Sequence, residues 1–182
     1  FCAATIFYFF NQHMPKEKRK AKTYRFVSNK VVGLYHEISY LLRNLNIDTR
    51  DKLTAITQER VSNACLVTNP QSSVVSKDES ATPFSNWYEY LNFKAQRIKA
   101  LVHDLLLLTD SVDTELMEQI LVIEDLTHRN LFFDRRRWGN TDLTVIDLFI
   151  WELYQHSEKA MDIVNTKYDR YRPEYRERWK PK

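Results

Sequence analysis

Two glycines, Gly33 and Gly139, are all that a chain of 182 residues contains. Loops that cradle phosphates use several glycines, because only a bare backbone lets N–H groups approach the anion. No dinucleotide fingerprint, Walker-type loop or kinase loop can therefore be written in this sequence. All-β folds need glycine at many of their tight turns. Helices need none, and the apolar residues recur at helical spacing along most of the chain.

Five helical stretches follow from the i, i+3 and i+4 pattern. The first runs from Tyr24 to Leu45, is striped by Phe26, Val31, Leu34, Ile38, Leu41, Leu42 and Leu45, and ends at Asn46. Asp48, with Asp51 three residues on, is expected to open a weaker second helix reaching about Thr68. Ser85 with Glu89 is expected to open the third, which reaches Thr109 with Trp87, Leu91, Ile98, Val102 and Leu105 on one face. The fourth places Leu116, Ile120, Ile123, Leu126 and Leu131 inward. It is expected to reach Trp138, where Gly139 suits the left-handed residue after a helix. Thr141 is expected to cap the fifth, which runs to about Tyr168. Asn69 to Pro83, serine-rich and marked by prolines, is expected to be a mobile loop with little to bury.

Helices of this length joined by short turns pack as antiparallel neighbours. The expected fold is all-α, an antiparallel four- or five-helix bundle with leucine-rich, coiled-coil-like seams. Residues 16–182 are expected to form one domain, and a hydrophobic content of 43% suffices for its core. Cys2 and Cys65 form no CxxC pair and no disulfide framework.

The formal net charge of +3 conceals a strong separation of charge. Residues 16–30 carry +6, residues 167–182 carry +4, and residues 31–166 between them carry −7. Basic ends flank an acidic body. Ahead of the first basic stretch stands FCAATIFYFF, in which nine of ten residues are apolar. A membrane-crossing helix needs about 20 such residues. Residues 1–15 are therefore expected to be the end of a transmembrane helix. Phe7 to Phe10 would form the aromatic belt, and Lys16, Lys18, Arg19, Lys20 and Lys22 the cytoplasmic flank that contacts lipid headgroups. The ordinary alternative is a buried apolar segment followed by a solvated lysine run.

Candidates for chemistry lie among the histidines. Glu124 and His128, and Glu152 and His156, stand one helical turn apart, with Asp125 three residues before His128. If the two helices faced each other, these groups could hold a metal within a bundle, yet the ligand number is short of the usual four to six. LVHDLLLL contains the doublet His103–Asp104, which resembles the metal-binding doublet of HD-type phosphohydrolases. That resemblance implies a metal-dependent hydrolase, with His36 and Asp147 as the further ligands. The small residues that follow the doublet in that family are missing. RIKALVHDLLLLTD is similar to the second helix of a histidine-kinase dimerisation domain, and VGLYHEISYLLRNL bears the His–Glu pair of its phosphoacceptor helix. The proline usual after that pair is absent, and no glycine-rich ATP-binding domain follows. The two segments cover about a sixth of the chain.

No catalytic residue, cofactor site or metal site is assigned on these patterns. The sequence reads instead as a binding or regulatory module, single-pass in the membrane, with its helical domain on the cytoplasmic side. Membrane lipid is the expected partner at the N-terminal end, beside a protein partner of unspecified kind and self-association. A metal-dependent hydrolase is one alternative. A nucleic-acid binder using DRRRW (Asp134 to Trp138) and the arginine- and tyrosine-rich stretch from Tyr168 to Lys182 is another.

Overall fold

The computed structural model describes residues 14–49, 55–77, 83–108, 112–128 and 140–168, with side chains from residue 21 onward. Five helices make up the described protein. They are α1 (Met14–Asn44), α2 (Gln58–Leu66), α3 (Trp87–Leu106), α4 (Thr114–His128) and α5 (Asp147–Ile163). A single 3-10 turn, Thr144–Ile146, leads into α5, and a wider π turn, Val164–Tyr168, follows it. The all-α bundle expected from the sequence is the fold observed.

α1 begins ten residues earlier than the apolar stripe suggests. Pro15 falls in its first turn, where a missing N–H leaves no intrahelical bond unmade. The lysine-rich stretch is therefore helical backbone. Val27, Val31, Leu34, Ile38, Leu41, Leu42 and Leu45 are almost wholly buried along one face, whereas Phe26, expected on that stripe, is 44% exposed because the helical period that buries Val27 and Val31 turns position 26 outward. The helix stops at Asn46, whose φ of 61° is left-handed. There the N–H of Asn46 bonds to the Arg43 carbonyl, and that of Ile47 to the Leu42 carbonyl, both at 3.0 Å. The two bonds satisfy carbonyls that a helix end would otherwise strand, and Ile47 is buried beside them.

Contacts between helices fix their directions. Lys30 meets Asp104, Glu37 meets Lys94, and Asn44 meets Tyr90, so numbers fall along α3 as they rise along α1. Tyr24 stacks on Tyr168 and Tyr35 leans on Tyr154, which makes α1 antiparallel to α5 and its closing turn. The Asp113 N–H donates to the Tyr168 hydroxyl and Gln119 meets His156, so α4 also runs against α5. α1, α3, α4 and α5 close a ring in that order, while α2 packs on α5. α1 and α4 therefore sit diagonally across the bundle.

Several local expectations differ from what is observed. The second helix starts at Gln58, capped by the Thr57 hydroxyl on the N–H of Arg60, rather than near Asp48. α3 is capped by Asn86, which accepts from the Glu89 N–H at 3.0 Å, while the Glu89 carboxylate reaches back to the N–H of Ser85 at 3.1 Å. Asp142 rather than Thr141 orders the approach to α5, because its carboxylate accepts from the backbone and hydroxyl of Thr144. The stretch after Asn69 does bury something. Val74 is 4% exposed and pairs with Phe84 through two backbone bonds of 3.0 and 2.9 Å. Lys77 is also held, its ammonium by the Arg43 carbonyl and the Asn46 side chain, its N–H by Asn44. Residues 78–82 of that loop, Leu131 to Gly139 with the DRRRW stretch, and residues 1–13 with the FCAATIFYFF run lie outside the described residues.

Candidate functional site

The end of the bundle where α1 begins brings charged and aromatic side chains together. The level of each side chain there follows from the α1–α3 register. Lys30 donates to Asp104 at 2.5 Å, and its ammonium lies 5.3 Å from the centre of the Phe26 ring. One turn nearer the end stand Phe26 on α1 and Leu107 just past α3, 44% and 70% exposed. Lys22, Arg25 and Asn29 are exposed on the same outward face of α1 as Phe26, and Val27, Ser28 and Val31 turn inward.

On the opposite flank, the rings of Tyr24 and Tyr168 stack at 4.5 Å and 9°. Burial, the larger influence, pushes the Tyr168 phenol above its usual pKa, so its hydroxyl stays protonated while accepting from Asp113 N at 2.9 Å. Lys167 bonds Glu115 at 2.8 Å and Asp113 at 3.0 Å, which raises its own pKa. The stack sets the start of α1 beside the last turn of the described chain. Of the basic stretch from Lys167 onward, Lys167 and Tyr168 are thereby set beside the start of α1, while residues 169–182, with most of the arginine- and tyrosine-rich stretch, lie outside the described residues. Of the five cations assigned to headgroup contact, Lys16, Lys18, Arg19, Lys20 and Lys22 all lie on α1, and Lys22 is exposed. Among the described residues no helix is long and apolar enough to cross a membrane.

The histidine candidates are not brought together. His156 Nδ1 lies 2.8 Å from Gln119 Oε1, and burial followed by the charge of Lys159 lowers its pKa despite Glu152. His128 stands 3.8 Å from Glu124 on an exposed face. Asp104, the carboxylate of the His–Asp doublet, is engaged by Lys30. His36 is half-buried, and that burial lowers its pKa against the opposing charge of Glu37. Glu37 itself turns into the protein rather than joining His36. Among the described residues no group of three or more His, Cys, Asp or Glu side chains is placed to hold a metal.

Sequence reasoning missed the most enclosed polar group. Lys94 is fully buried between α1 and α3, 2.9 Å from Glu37, with the rings of Tyr40, Tyr90 and Phe93 at 5.3, 5.6 and 5.9 Å. Arg97 binds the other Glu37 oxygen at 2.7 Å. Cation, carboxylate and aromatic faces satisfy one another there. The neighbouring void of about 10 Å³, lined by Leu41, Leu91, Ile98, Thr127 and Leu153 among others, admits no substrate. Cys65 is likewise enclosed. Burial, then the carboxylates of Asp147 and Asp142, push its thiol up to about 12, which makes it a poor nucleophile. No protein-family model, curated protein or solved structure matches this chain.

Proposed function

We propose that this chain is a helical binding or regulatory module tethered to a membrane on its cytoplasmic side. The apolar stretch ahead of Lys16 supplies the tether, and Lys16, Lys18, Arg19, Lys20 and Lys22 lie at the headgroups. The observation that supports this reading is the Tyr24–Tyr168 stack, which sets the lysine-rich start of α1 beside Lys167, the first residue of the second basic stretch. Each cation near an anionic leaflet contributes about 1 kcal/mol, and the net-negative remainder is repelled from the same surface. The pairing of charges thereby orients the molecule. Partners are met by the acidic body, which faces away from the lipid.

The test replaces the five cations by glutamine in the full chain. Attraction to anionic vesicles should fall and the helical circular dichroism should not. A chain that unfolds on substitution, or that keeps its preference for anionic vesicles, contradicts the proposal.

A further inference from the structure

The first half of α1 offers more than a stalk. By the 3.6-residue period, positions 18, 19, 22, 25, 26 and 29 share one sector of the helix, opposite the buried Val27 and Val31. Its described members, Lys22, Arg25, Phe26 and Asn29, are all exposed. From Lys18 to Asn29 the stripe extends about 16 Å at 1.5 Å per residue. Leu107 lies at the level of Phe26 on the flank toward α3, because Lys30 bonds Asp104 one turn farther in. Three described acids near this end are engaged by lysines, Asp104 by Lys30, and Asp113 and Glu115 by Lys167. By their exposure, Lys22 and Arg25 adjoin the apolar surface of Phe26 and Leu107, which is the composition of an interfacial helix.

We propose that this outward face of α1, together with the turn after α3, lies against an anionic lipid surface, with Lys22 and Arg25 at the phosphates and Phe26 and Leu107 in the headgroup layer. The inference rests on the membrane reading and adds an orientation to it. If α1 rose straight from the bilayer, Phe26 would stand about 15 Å above Lys16. The polar layer of one leaflet is only about 5–7 Å deep. Phe26 and Lys16 reach that layer together only if α1 lies along it. The bundle then rests on its α1 side, and α4, diagonally opposite, faces the aqueous phase.

The test places one environment-sensitive dye on the full chain in a Cys2→Ser background, at Phe26→Cys, Asn29→Cys, Leu107→Cys or Leu121→Cys. Cys65, buried with its thiol pK pushed to about 12, takes no label. Leu121 is 48% exposed on α4 and is the aqueous reference. Vesicles of phosphatidylserine with brominated phosphatidylcholine quench a dye that enters the headgroup layer. Quenching at 26, 29 and 107 should exceed that at 121 several-fold. Asn29→Cys keeps the test decisive if Phe26→Cys disturbs the fold. Sedimentation of the same samples separates the claims. A chain that binds while all four dyes are quenched alike, or none is, overturns this orientation and leaves the tether. A chain that does not bind overturns both.

Discussion

Lys94 and Glu37 form the most enclosed ion pair described, at 2.9 Å, with the Lys94 side chain fully buried and that of Glu37 9% exposed. Removing one member of such a pair leaves the other buried and unpaired, which costs more than removing both. Lys94→Met should therefore destabilise the protein by roughly 3 kcal/mol, since Glu37 keeps only the half-exposed Arg97. Glu37→Leu with Lys94→Met should recover most of that loss. Urea unfolding of the two variants checks this, and a neutral Lys94→Met would show that the pair contributes nothing. Such a pair was not legible in the sequence. Lys94 occupies a core position of the α3 stripe between Leu91 and Ile98, where the pattern alone favours an apolar residue, and its partner is 57 residues away. The same holds for the His103–Asp104 doublet. Read alone it suggests a ligand pair, but Asp104 is bound by Lys30 from 74 residues upstream.

At the scale of elements, long periodic stripes were legible and their ends were less so. The α1 stripe from Val31 to Leu42 is buried as its spacing requires, and Asn46 ends the helix in the left-handed conformation that asparagine tolerates. The start of α1 was missed because Met14 to Lys22 has no apolar period to reveal it. The start of α2 was missed because Asp48 and Thr57 are both acceptable caps, and choosing between them depends on the contacts α2 makes. Those contacts are the Leu143 N–H on the Cys65 carbonyl at 3.1 Å and the Ser62 hydroxyl on Asp147 at 2.5 Å. The meeting of Tyr24 with Tyr168 was hidden for a similar reason, since it follows from the antiparallel packing of α1 on α5 and not from either segment. Gly33 gives a test of α1 as an element. It lies mid-helix without a positive φ, and an added Cβ would meet Leu101 at 3.5 and 3.7 Å, ordinary contact distances. Gly33→Ala should stabilise by about 0.5–1 kcal/mol, because it removes backbone freedom from the unfolded chain. A lower midpoint of thermal unfolding would mean that α1 and α3 need a closer approach there.

For the whole molecule, two half-buried histidines link stability to pH. His36 and His156 both have folded pKa values below the ordinary 6.5, chiefly through burial. Below 6.5 the unfolded chain therefore binds protons that the folded chain resists. Their effect is absent above that pH, and stability is lost as pH falls through it. Between pH 7.5 and about 5.5 the melting temperature should decline, and His36→Asn with His156→Asn should flatten the decline. An unchanged slope in the double variant would remove the two imidazoles from the account.

Charge separation is the property of the whole molecule on which the functional reading depends. In sequence the apolar stretch adjoins the lysine-rich start of α1, and residues 31–166 carry −7. The most direct measurement is partition of the full chain between buffer and vesicles, anionic against neutral, for the parent and for the variant with Lys16, Lys18, Arg19, Lys20 and Lys22 all replaced by glutamine. Thermal melts of both proteins accompany it. At about 1 kcal/mol per cation, the ratio of anionic to neutral binding should fall by several thousandfold, roughly 5,000. The melting temperature should stay nearly constant, because Lys22 is exposed and glutamine sustains a helix about as well as lysine. An unchanged ratio, or a domain that unfolds without its lysines, would contradict the account.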